Sequence, residues 1–108
     1  MKSSEKFCWV YMTAGSIEEA KSIGQILVVQ NLAACVNLFK NMTSIYKWEE
    51  KLEESQKIIL IAKTRKTLMQ QLIETVNRYH SYDCPCILEL PIQGGNPDFL
   101  SWIKSQTA

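Results

Sequence analysis

The chain has 108 residues, a formal net charge of +1, 46% hydrophobic residues and 21% charged residues. That length suits one compact domain, residues 1–108, with its own core, and the near-neutral balance gives no general field for nucleic acid or an anionic membrane. No apolar run approaches the roughly 18 residues a membrane helix needs and the N-terminus lacks a signal-like stretch, so a cytoplasmic location is expected and Cys8, Cys35, Cys84 and Cys86 are read as free thiols.

Residues 6–14, KFCWVYMTA, are rich in aromatic and β-branched side chains and read as a strand. Both of its faces are apolar, with Phe7, Trp9 and Tyr11 on one and Cys8, Val10 and Met12 on the other. Ser16 and Glu19 then open a helix in the pattern of a reciprocal capping box. Ile17, Ala20, Gly24, Leu27 and Val28 form its apolar stripe. Two strands follow, over about 33–47 and 56–63. Their connection near WEEKLEES is charged and holds no glycine, so no tight two-residue turn is signalled.

The segment RKTLMQQLIETVNRYH repeats Leu68, Leu72, Val76 and Tyr79 at helical spacing. CILELPI is a short strand. A last helix starts at Asn96 as N-cap with Pro97 in the first helical position, and its apolar face is Phe99, Trp102 and Ile103. The order β-α-β-β-α-β plus a terminal helix is the α+β, ferredoxin-like split βαβ arrangement. Helices cover one face of such a sheet. Because the first and third strands are apolar on both faces, the other face calls for association.

The stretch YHSYDCPCILELPI, residues 79–92, holds the only histidine and two of the four cysteines. Imidazole and thiolate suit copper, zinc or iron. Against this, C-x-C is not C-x-x-C, and a structural zinc site needs about four ligands. Buried free cysteines are commonly packing residues, and Cys35 and Cys8 are read that way. A Cys–His pair is present without an evident orienting group, so an enzyme is not expected.

The blocks LAACVNL, TSIYKWEEKLEE, IAKT, HSYDCPCILELPI and DFLSWI follow one another at the spacing of the CutA divalent-ion tolerance family, which the chain resembles over about residues 7–104. The resemblance implies a homotrimer built through long second and third strands, a role in tolerance of copper and other divalent cations, and metal binding without catalytic turnover. It implies metal ligands at His80, Cys86 and Cys84, with Met12 at the position of a cysteine used by metal-binding relatives. Sulfur ligands would favour Cu(I), or another soft metal. It also implies an intersubunit cleft, to which Tyr46, Trp48, Lys63, Thr64, Tyr82 and Trp102 are assigned. The alternative is a PII-like sensing module that binds a small anionic ligand in that cleft, with Lys63 as the cation. Departures from the family pattern include Ser81, Asp83 and Cys86 around the histidine, Glu50 for a glycine at the hairpin tip, and Lys40 for a proline.

Overall fold

The computed structural model describes residues 5–108. In chain order the elements are β1 (Phe7–Ala14), α1 (Ile17–Val29), β2 (Cys35–Trp48), β3 (Lys51–Arg65), α2 (Met69–Tyr79), β4 (Ile87–Ile92) and α3 (Pro97–Gln106). A 3₁₀ turn over Lys66–Leu68 leads into α2. The strands form one antiparallel sheet in the order β2-β3-β1-β4. This is the expected α+β, ferredoxin-like topology with a helix added at its end.

Register explains why one strand can be apolar on both sides. Trp9 lies between Lys63 and Leu90, and Val10 lies between Ala62 and Glu89. Directly opposed residues share a face, so the even-numbered residues of β1 form one layer and Phe7, Trp9 and Tyr11 the other. Cys8, Val10 and Met12 join Leu60 and Ala62 beneath α1 and α2, against Leu27, Leu72 and Val76. Burying each large side chain of this layer contributes roughly 1.5–3 kcal/mol. The opposite face leaves Trp9, Phe39, Leu88 and Leu90 exposed.

Local chemistry sets the helix ends. The Glu19 amide donates to Ser16 Oγ at 3.1 Å, which caps α1. At its other end Asn31 is left-handed (φ 61°). The Asn31 amide bonds the Val28 carbonyl at 3.1 Å and the Leu32 amide bonds the Leu27 carbonyl at 2.9 Å, a Schellman closure. Asn96 caps α3 by accepting from the Asp98 amide at 3.0 Å. The stripes differ in detail from those expected: Ile23 is buried in α1, whereas Val28 and Tyr79 are exposed.

The second and third strands are longer than expected, running to Trp48 and from Lys51. Pairing of β1 with β3 stops at Ala14 opposite Ile58, so the ribbon from Met42 to Lys57 is two-stranded and projects beyond the sheet. Its connection is the tight two-residue turn that composition did not signal. Glu49 and Glu50 are both left-handed, with φ of 50° and 66°, the geometry in which Asn-Gly is usual. Cross-strand pairing on either side imposes the turn on residues that do not favour it. The ribbon is irregular at one place. Phe39 pairs with Ile59 but Met42 pairs with Lys57, so Lys40 and Asn41 together oppose Ile58 in a β-bulge, with Asn41 at φ 64°.

Glycine at position 50 would adopt φ 66° without the side-chain clash. Glu50→Gly should therefore raise stability by about 1 kcal/mol, read as a higher denaturant midpoint at unchanged m-value. A loss of stability would mean that the glutamate side chain is held by a contact.

Candidate functional site

The residues at the end of α2 form a knot. The His80 amide bonds the Val76 carbonyl at 2.8 Å, and its buried ring turns back toward β1, where Nε2 lies 2.8 Å from the Thr13 carbonyl. The Tyr82 amide donates to Nδ1 at 3.1 Å. An amide can only donate, so Nδ1 is the acceptor and Nε2 carries the hydrogen given to Thr13. Both ring nitrogens are thus committed to backbone.

Glu19 ties α1 to the same loop. Its carboxylate accepts from the Ser81 amide at 2.6 Å and the Ser81 hydroxyl at 3.1 Å, and lies 3.7 Å from His80 Nδ1. The capping box is therefore only half made, because the carboxylate bonds Ser81 across the fold. Burial pushes the Glu19 carboxyl up, but the Ser81 donors and the Gly15 amide outweigh it and hold the group below its usual range. The Tyr82 ring leans on His80 at 4.8 Å between centroids. Its hydroxyl would lie 3.1 Å from a Cβ on Gly15, so a side chain there would push Tyr82 away.

Beside this knot, Tyr46 and Trp48 of β2, Glu53 and Lys57 of β3, and Tyr82, Asp83 and Cys84 of the loop line a groove of about 630 Å³. The Lys57 ammonium sits over the rings of Tyr46 and Tyr82, at 4.7 Å and 5.4 Å from their centres. Tyr46, Trp48 and Tyr82 were assigned to a cleft between subunits; within one chain they line this groove. Lys57 and Glu53 were not foreseen. A two-residue turn at Glu49–Glu50 would have shown Glu53, because that register sets it opposite Tyr46.

The other cleft residues lie elsewhere. Thr64 is fully buried on the helix-covered face and donates to the Leu32 carbonyl at 2.7 Å. Lys63 points to the other face, where its ammonium bonds Asn37 Oδ1, lies 3.7 Å from Cys35 Sγ and sits near the Trp9 ring. That contact makes Cys35 a half-buried residue of the uncovered face rather than core. It also occupies the cation on which an anion site was to rest. Trp102 packs on Phe99 within α3 at 5.3 Å.

The expected metal set is not assembled. Met12 is 1% exposed in the core between Leu60 and Ile87, so its thioether is closed off. His80 has no free nitrogen. Among the described residues no group of three or more His, Cys, Asp or Glu side chains is placed to hold a metal ion. Two sulfur donors remain: Cys84, exposed in the groove wall, and Cys86, half-buried. Burial pushes the Cys86 thiol above its usual 9.0, and Lys57 partly offsets this. Cys8 is buried as expected, and burial together with Glu89 pushes its thiol up to about 11 despite the opposing effect of Lys66.

Fold and loop together define a class: a ferredoxin-like domain with a long projecting ribbon and a histidine- and thiol-bearing loop at the ribbon's foot. The chain belongs to the CutA1 divalent ion tolerance protein family, whose match covers residues 8–106. It is 41% identical over 98 residues to the chloroplastic protein CutA of Arabidopsis thaliana, covering 91% of this chain and 54% of that one. It is 40% identical over 98 residues to the divalent-cation tolerance protein CutA of Thermus thermophilus, covering 91% and 95%. The crystal structure of CutA1 from Oryza sativa superposes with a TM-score of 0.94 at 38% identity, over 95% of this chain and 94% of that one. The chain spans about half the length of several curated relatives that it matches.

The Glu19 contacts make a pH prediction. Its folded value lies below the usual 4.5, so its stabilising effect is present above that pH and is lost as pH falls through the folded value. Glu19→Gln should be less stable than the parent at neutral pH, and the gap should close on acidification below pH 4.5. Urea midpoints measured across the acid range check this, and a gap that stays constant would remove the carboxylate from the account.

Proposed function

We propose that this protein serves divalent-cation tolerance as a homotrimer that binds metal without catalytic turnover. Family membership over nearly the whole chain supports the tolerance role. The observation that carries the trimer is the ribbon. A two-stranded hairpin is marginal by itself in water, yet this one projects with Ile45 65%, Trp48 64% and Leu52 76% exposed. Covering the ribbon and the apolar sheet face by like copies accounts for both.

A binding role rather than a catalytic one is supported by how the reactive groups are used. His80 is held by two backbone partners, and the Cys8 thiol is buried and pushed up to about 11, so neither suits a base or a nucleophile. For the metal we propose Cu(I) on Cys86 and Cys84, since soft thiolates favour it over hard cations. A cytoplasmic location, in keeping with four free thiols, belongs to the same proposal. The chloroplast location belongs to the plant relatives.

Two measurements test this. Sedimentation at micromolar concentration should give about three times 12.4 kDa, and a stable monomer would defeat the assembly. Anaerobic titration should show Cu(I) binding that Cys86→Ser abolishes and Cys35→Ser leaves intact. Binding should strengthen as pH rises, because the Cys86 thiol must first lose a proton that burial makes harder to remove. Equal loss in both variants, or no binding by the parent, would make both cysteines scaffold.

A further inference from the structure

Lys57 is held in the groove at the ribbon's foot by aromatic rings rather than by carboxylates. Its ammonium lies 4.7 Å from the centre of Tyr46 and 5.4 Å from that of Tyr82. Both distances are inside the roughly 6 Å over which a ring face attracts a cation. Among the described residues the ion pairs join Arg65 to Glu5 and Lys66 to Glu89, and neither uses Lys57. Trp48 adds a third ring to the groove, and Glu53 and Asp83 add two carboxylates.

The fold itself positions two of the groove's aromatic residues. Tyr82 is held by its amide bond to His80 and by the contact of the two rings. Tyr46 is set opposite Glu53 by strand register. We propose that the groove is an aromatic cage for an organic cation of the quaternary-ammonium class, with the Lys57 ammonium as its built-in occupant. The side chain's four-carbon stem is flexible and its ammonium strongly hydrated, so it is a displaceable occupant. An alkylated ammonium has no comparable hydration to lose and gains the faces of all three rings. A hard divalent ion prefers oxygen ligands and retains its water, so it is a poor match. Cys84 lines the same groove, but a quaternary ammonium offers sulfur nothing to coordinate, so its binding does not require the thiols. Every lining residue comes from one chain, so the chain supplies the groove without residues of a partner.

The test titrates the full chain and its Lys57→Met variant with tetramethylammonium chloride, against sodium chloride at equal ionic strength. The readout is the indole N–H signal of Trp48 in ¹H–¹⁵N spectra. Removing the resident charge should give Lys57→Met a saturable shift with tetramethylammonium, at a midpoint at least tenfold lower than in the parent and absent with sodium. Adding Tyr82→Leu should abolish the shift, whereas Tyr82→Phe, which keeps the ring face, should retain it. Lys57→Gln repeats the comparison with a polar side chain, so that a folding failure of one variant leaves the question decidable. A folded variant with no saturable shift, an equal response to sodium, or a shift that survives Tyr82→Leu would each overturn the proposal.

Discussion

The imidazole of His80 is the constraint on which the site depends. Its ring joins the Thr13 carbonyl at the end of β1 to the Tyr82 amide in the loop beyond, while the His80 backbone amide closes the last turn of α2 on Val76. Glu19 adds α1 through Ser81. A buried ring with both nitrogens satisfied is a rigid strut, whereas one left unpaired would cost about 1–3 kcal/mol per orphaned group. Because the strut sets where the chain leaves α2, it also sets where Tyr82, Cys84 and Cys86 emerge. The histidine shapes the site without offering an atom to a ligand.

The sheet adds a second constraint, since its two faces have different fates. Cys8, Val10, Met12 and their neighbours close one face under the helices. The other carries Trp9, Phe39, Leu88 and Leu90 toward solvent, and continues into a ribbon without a third strand. Hydrophobic surface of that kind drives assembly irrespective of any metal.

Much of the architecture was legible because core helices and two-sided strands carry strong periodic signals. Leu68, Leu72 and Val76 repeat at helical spacing and are buried. The hairpin tip was not legible, because Glu49 and Glu50 have no intrinsic preference for the left-handed region that pairing forces on them. Some site errors were avoidable from period two alone. Lys63 and Thr64 are adjacent in a strand and must point to opposite faces, so one cleft cannot hold both. Met12 has the parity of Cys8 and Val10, which places it in their core layer. The role of His80 was a different matter: its identity is visible in the sequence, but the two backbone groups that claim its nitrogens are brought there only by folding.

The bulge at Lys40–Asn41 acts on the ribbon as an inserted base acts on a reading frame. Before it, the odd-numbered residues Cys35, Asn37 and Phe39 stand opposite Lys63, Ile61 and Ile59. After it, the even-numbered Met42, Ser44, Tyr46 and Trp48 take over that side, opposite Lys57, Ser55, Glu53 and Lys51. Let the same residues pair without the bulge and the phase inverts: Ile45 and Lys47 would occupy the side where the two aromatic rings now stand, and the rings would move to the opposite side. What the ribbon displays is thus governed by the bulge's shift of parity as well as by its composition, and straightening the bulge would rewrite that surface while every side chain kept its identity.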